Sequence, residues 1–203
     1  MLKKYSVLIC MVISVILLVK ASFLYPGGSW ADKNSIGFHW SENFVSNLFD
    51  TKAINGSDNP GWIWALAGMA FQSVGYGIFF IHMSGRIPSG RWASILNYIG
   101  STNILFIFLI ATPLHDLGTI SIVLTLLGLF TITGFILRSK RHLIKFFCIF
   151  CLLTYYVFFA LFGFGYLDMA VIMQKVYNLS SMLLVLALEY FTRQEDFAQV
   201  NPE

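Results

Sequence analysis

A chain of 203 residues that is 57% hydrophobic and only 11% charged departs from the soluble norm of about 45–50% apolar and 25% charged residues, and it has too few charges to coat a globule in water. Its formal net charge of +3 is small and scattered, and most of the basic residues have a topological explanation, so nothing points to nucleic acid as a partner. The expected fold class is all-α: a polytopic helix bundle in a membrane, with lipids as its surroundings.

In chain order, six apolar runs are each long enough to cross about 30 Å of hydrocarbon as a helix. They cover 7–24, 62–83, 92–112, 117–137, 146–166 and 170–191. The first follows Lys3 and Lys4 and is closed by Tyr25-Pro26-Gly27-Gly28. Lys20 interrupts its end and no small-x-small cleavage site follows, so it reads as a retained anchor rather than a signal peptide. In the second, Ala67, Ala70, Ser73 and Gly77 share one helical face with Gln72 beside it, a small-residue stripe suited to close helix packing. Asn97, Ser101 and Asn103 of the third run are within reach of that face as interhelical hydrogen-bonding glue. Cys10, Cys148 and Cys151 fall within the apolar runs and read as buried thiols, with no disulfide expected.

Basic residues set the expected orientation. With the N-terminus cytoplasmic, the inner segments hold Lys3, Lys4, Arg86, Arg91, Arg138, Lys140, Arg141, Lys145 and Arg193, and the outer ones Lys33, Lys52 and Lys175. Nine against three places both termini in the cytoplasm of a multi-pass cell-membrane protein. Lys20 remains at the outer end of the first span, where its stem can snorkel. Tyr25, Trp30, Trp40, Trp62 and Trp64 gather at the outer interface and Trp92 marks the inner one, as amphipathic rings prefer. His82 and Glu189 lie near the inner ends of their spans, within reach of water or loop cations.

The connection over 26–61 is far longer than a minimal turn and is expected to have a task. Within 38–50 the pattern predicts an amphipathic helix. His39, Asn43, Ser46, Asn47 and Asp50 form a polar face, Trp40, Phe44 and Leu48 an apolar one, with Val45 and Phe49 near it. Two other outer turns can approach this segment. Pro113-Leu114-His115-Asp116 presents His115 and Asp116 at a tight hairpin, and the turn before the last span brings Asp168. His39, Glu42, Asp50, His115, Asp116 and Asp168 thus form an outer-face set of imidazoles and carboxylates. Such a set suits acid/base chemistry, with His39, His115 and Asp116 as catalytic candidates, or a divalent metal held by His39, His115, Asp116 and Asp168. Glu42, Asn43, Ser46, Asn47, Asp50 and Asp168 are the ligand-binding candidates. Against this, outer loops are ordinarily polar, and no closely spaced ligand motif such as H-E-x-x-H is present.

Tyr25-Pro26-Gly27-Gly28, the Asn43-Phe44-Val45-Ser46-Asn47-Leu48 element and Pro113-Leu114-His115-Asp116 together resemble an uncharacterised family of bacterial and archaeal six-span membrane proteins. That family is related more distantly to the eukaryotic group that includes the autophagy modulator DRAM. The resemblance implies a six-helix fold, makes Ser46, Asn47 and His115 residues to watch, and implies no reaction. Alkaline ceramidases, by comparison, hold zinc with three histidines, two of them in an H-x-x-x-H pair on the last span, whereas 170–191 has no histidine here.

Two functions follow from this reading. One is a non-enzymatic protein that binds or senses lipid, its outer segment acting as a lid over a groove between helices. The other is a membrane-embedded hydrolase or transferase acting on a lipid headgroup through His39, His115 and a neighbouring carboxylate.

Overall fold

The computed structural model describes residues 2–88, 90–110 and 118–198. Six α-helices account for most of it: α1 (Leu2–Leu24), α2 (Trp62–Ser84), α3 (Gly90–Ile110), α4 (Gly118–Ile136), α5 (His142–Gly163) and α6 (Leu167–Phe191). Each expected apolar run overlaps one helix over its described residues. The helices α1 and α5 begin earlier than the hydropathy predicts, at Leu2 and His142, because backbone hydrogen bonding continues through polar flanks such as Lys4 and Lys145 after the apolar side chains stop. Among the described residues, α1 from Lys4, α2, α5 and α6 are long and apolar enough to cross a membrane, and Ile120–Ile136 is a shorter apolar helix.

The helix α2 lies at the centre, flanked by α1 and α3 and also touching α4 and α6. Close approach of helix backbones strengthens the packing of such apolar helices. Glycine makes that possible at the α2–α3 crossing. A Cβ added to Gly77 would lie 2.8 Å from the Gly100 carbonyl oxygen, and one added to Gly100 would lie 2.6 Å from that of Gly77. The core that results is dominated by aromatic and aliphatic side chains with no exposure, among them Phe79, Phe80, Met83, Leu96, Ile132, Leu184 and Leu188.

Several polar side chains in the helices pair with one another, though not with the partners expected. Gln72 does not reach Asn97, Ser101 or Asn103. Its Nε2 donates to Asn178 Oδ1 of α6 at 2.9 Å, while Asn103 Oδ1 accepts from Ser121 Oγ of α4 at 2.6 Å. Asn97 and Ser101 are exposed on α3. A face chosen by spacing on one helix says nothing about which neighbour covers it, and here α6, not α3, lies over Gln72.

One end of the bundle gathers the basic turns. Arg86 Nη1 donates to the Leu188, Glu189 and Thr192 carbonyl oxygens at 3.1, 3.0 and 3.3 Å, satisfying carbonyls that the end of α6 leaves open. Arg141 Nε pairs with Asp196 Oδ1 at 2.9 Å, and Phe197 behind it is fully buried. Tyr5 stacks near Tyr190, ring centroids 6.3 Å apart, and the Tyr190 hydroxyl accepts from the Leu8 amide at 3.2 Å. The two ends of the described chain therefore meet at this end, and the 25–61 connection closes the other.

Candidate functional site: a cavity beneath the long connection

The 25–61 segment folds back on the bundle through a few specific contacts. Gly27 and Gly28 take positive φ values of 147° and 84°, and the Gly28 amide donates to Ser35 O at 2.8 Å, starting a tight return. The Tyr25 hydroxyl accepts from the Ile54 amide at 3.0 Å, and burial pushes this phenol above its usual range. Lys20 is exposed, its ammonium seated 3.2 Å from the centre of the Trp64 ring in a cation–π contact.

The helix expected over 38–50 is not continuous. Residues 40–42 form a turn and only Val45–Phe49 is helical, as a 3-10 helix. The cause lies in Asn43. Expected on the polar outer face, it is fully buried: its Oδ1 accepts from the His39 amide at 2.9 Å and its Nδ2 donates to Gly28 O at 2.8 Å. An Asn side chain that bonds local backbone competes with the helical ladder. The apolar stripe behaves as its composition predicts in part. Phe44, Val45 and Leu48 are buried, while Trp40 is exposed and stacks edge-on against Phe38.

Helix α6 latches this segment from below. Gln174 Oε1 accepts from the Val45 amide at 2.6 Å, and Lys175 Nζ donates to Asn43 O at 2.7 Å and to Val171 O at 2.9 Å. On the other side Asn59 Nδ2 donates to Leu48 O and Asp50 O at 3.1 and 2.8 Å, tying the end of the 3-10 helix to the start of α2.

Under the latched segment is a cavity of about 130 Å³. Val45, Ser46 and Phe49 of the connection form part of its wall; Leu18 contributes from α1, and Met69, Gln72, Ser73 and Tyr76 from α2. Ser121, Ile122 and Thr125 come from α4, Tyr155 from α5, and Gln174, Tyr177 and Asn178 from α6. The Gln72–Asn178 pair crosses one side, and the Tyr76 hydroxyl meets Ser181 Oγ at 2.7 Å just beyond. The wall is thus built of carboxamides, hydroxyls and hydrocarbon.

The expected site residues distribute as follows. Ser46 lines the cavity, and Asn43 holds its cover without facing it. Glu42 accepts from Ser29 Oγ at 2.7 Å and stabilises the return. Asn47 lies in the 3-10 helix with its Oδ1 buried and lacking a hydrogen-bond partner among the described residues. His39 is exposed, its Nε2 within 3.1 Å of Ile36 O. Asp50 is exposed at the segment's end, and exposed Asp168 sits in the first turn of α6, where a carboxylate favours the helix dipole. His115 and Asp116 lie outside the described residues. Among the described residues no three or more His, Cys, Asp or Glu side chains gather to hold a metal ion.

Ser121 and Thr125 carry no signal of their own in the sequence. Ser and Thr in a span read equally well as helix glue, and only the placement of α4 and α6 around α2 turns them toward one space.

A second polar group sits at the opposite end. Glu189, 7% exposed, accepts from or donates to His82 Nδ1 at 2.8 Å and has Arg86 Nη2 at 3.6 Å. This is the reach of a loop cation that the sequence suggests, now with Arg86 as the cation.

No protein-family model, curated protein or solved structure matches this chain.

Proposed function

We propose that this protein is a six-span membrane protein, both termini cytoplasmic, that binds or senses lipid at its outer face, the 43–49 segment acting as a lid over the cavity between α2, α4 and α6. The observation that carries the reading is that residues of the long connection themselves complete the wall, Val45, Ser46 and Phe49 closing a space otherwise bounded by helices. A cavity with hydrocarbon and a few hydrogen-bonding groups, at the end of a bundle, is what a ligand site requires. Its volume admits a head-sized part of a lipid, with acyl chains left among the surrounding lipids. Orientation rests on the basic end described above and the positive-inside rule. Kinship with the six-span family it resembles belongs to the same proposal, since Asn43, Ser46 and Leu48 of the shared element hold, line and anchor the lid.

The test is exchange of retained lipid. Gln174→Ala removes the bond to the Val45 amide, and one hydrogen bond is worth about 1 kcal/mol, or roughly five-fold in rate. Pulse-chase with deuterated lipid, followed by native mass spectrometry, should show exchange several-fold faster than in the unaltered protein. Equal exchange rates in two equally folded proteins would remove the lid from the account.

A further inference from the structure

The proposed lipid site can be given a ligand chemistry, and the argument rests on that reading of the cavity. Among the described residues on its wall there is no Asp, Glu, His, Lys or Arg. Lys175, next in sequence to the lining Gln174, directs its ammonium to the Asn43 and Val171 carbonyl oxygens and is absent from the lining. Among the described residues of the wall, a phosphate entering here would meet no counter-charge, and a quaternary or primary ammonium would meet no carboxylate. Burying an unpaired charge costs far more than burying a hydrogen-bonded neutral group.

What the wall does offer suits hydroxyls. Gln72 and Asn178 spend one N–H and one carbonyl oxygen on each other, and Gln174 spends its carbonyl oxygen on Val45, which leaves none of these carboxamides with its bonding capacity exhausted. Ser73 and Thr125 add hydroxyls that both donate and accept, and Met69 and Ile122 add hydrocarbon for C–H groups. Size narrows the choice further. A cavity of about 150 Å³ takes up benzene, a guest of six heavy atoms; glycerol also has six, and about 130 Å³ fits a guest of that scale. We infer that the cavity takes a neutral polyol of glycerol size, either as the head of an acylglycerol or as the free polyol.

Binding of four probes to the full chain in nanodiscs tests this: monoolein, free glycerol, oleoyl lysophosphatidate and sphingosine. Monoolein should bind at least about a hundred-fold more tightly than lysophosphatidate or sphingosine, which carry the penalty of a buried unpaired charge. Free glycerol binding as tightly as monoolein would identify the free polyol as the source; glycerol binding much more weakly would identify the acylglycerol head. Thr125→Leu, which fills the wall with hydrocarbon, should weaken monoolein at least ten-fold. The comparison among probes needs no variant, so it stands even where Thr125→Leu does not fold. Lysophosphatidate or sphingosine binding within ten-fold of monoolein would overturn the neutral-polyol inference and leave the lipid site in place. Absence of binding by all four would overturn both, and monoolein binding unchanged in folded Thr125→Leu would move the polyol out of this cavity.

Discussion

Asn43 has the burial of a core residue in a segment that reads as surface. Its carboxamide bridges the His39 amide and the Gly28 carbonyl, and its own carbonyl takes the Lys175 ammonium. Asn43→Ala should therefore cost about 1–3 kcal/mol, the penalty of stranding buried backbone groups. Limited proteolysis in membranes should report it as new cleavage within 26–61, with the helices unaffected. Arg86 makes a comparable case at the other end, because it both satisfies the α6 carbonyls and faces Glu189. Arg86→Ala should destabilise by about 3 kcal/mol or more, and adding Glu189→Ala should recover part of that loss, since removing one member of a buried pair is worse than removing both. Denaturant unfolding of the single and double variants in mixed micelles measures the coupling. The sequence shows that both residues are polar and lie outside the apolar runs. It does not show that Asn43 points inward, because that depends on Gly28 returning beside it, a contact across 15 positions.

The elements divide sharply in how far they can be read in advance. The helices follow from hydropathy, since a bilayer requires backbone groups to be satisfied within each segment. The 38–50 segment lies outside that constraint, and its apolar stripe at helical spacing predicts burial better than conformation: Phe44 and Leu48 are covered, yet the helix shrinks to Val45–Phe49. Between helices, the close approach of Gly77 and Gly100 predicts that Gly100→Val will force α2 and α3 apart and cost about 1–3 kcal/mol, readable as a lowered thermal midpoint. The C-terminal segment is held differently, by the Arg141–Asp196 pair over buried Phe197. Desolvation works to raise the Asp196 pKa, but the hydrogen bond from Arg141, the Arg193 amide and the nearby guanidinium charges outweigh it and hold the carboxyl below its ordinary value. A lowered folded pKa means that the pair stabilises the docked segment above the ordinary carboxyl pKa of about 3.9 and ceases to do so as pH falls below it. Hydrogen-exchange protection at 193–198, taken relative to the intrinsic rate at each pH, should fall through that acid range, and in Asp196→Asn it should already be low at neutral pH and change little with acid.

At the scale of the whole molecule, Arg86, Arg141 and both described chain ends share one end of the bundle, and the cavity with its cover occupies the other. Cysteine at the exposed Ser57 should react with an impermeant thiol reagent applied outside intact cells, and cysteine at exposed Lys140 should not, against a background in which Cys10, Cys148 and Cys151 are buried. The cavity itself was not legible from the chain: its wall comes from five helices and the connection, and no spacing rule links Ser121 to Gln174. The central claim is that this covered space holds a lipid, and retention of lipid by the delipidated protein measures it most directly. Native mass spectrometry should find one lipid per chain in the unaltered protein and none in Ser73→Leu, whose added hydrocarbon occupies the wall, with helicity and thermal midpoint showing that the variant is folded. Equal retention by both folded proteins would contradict the account.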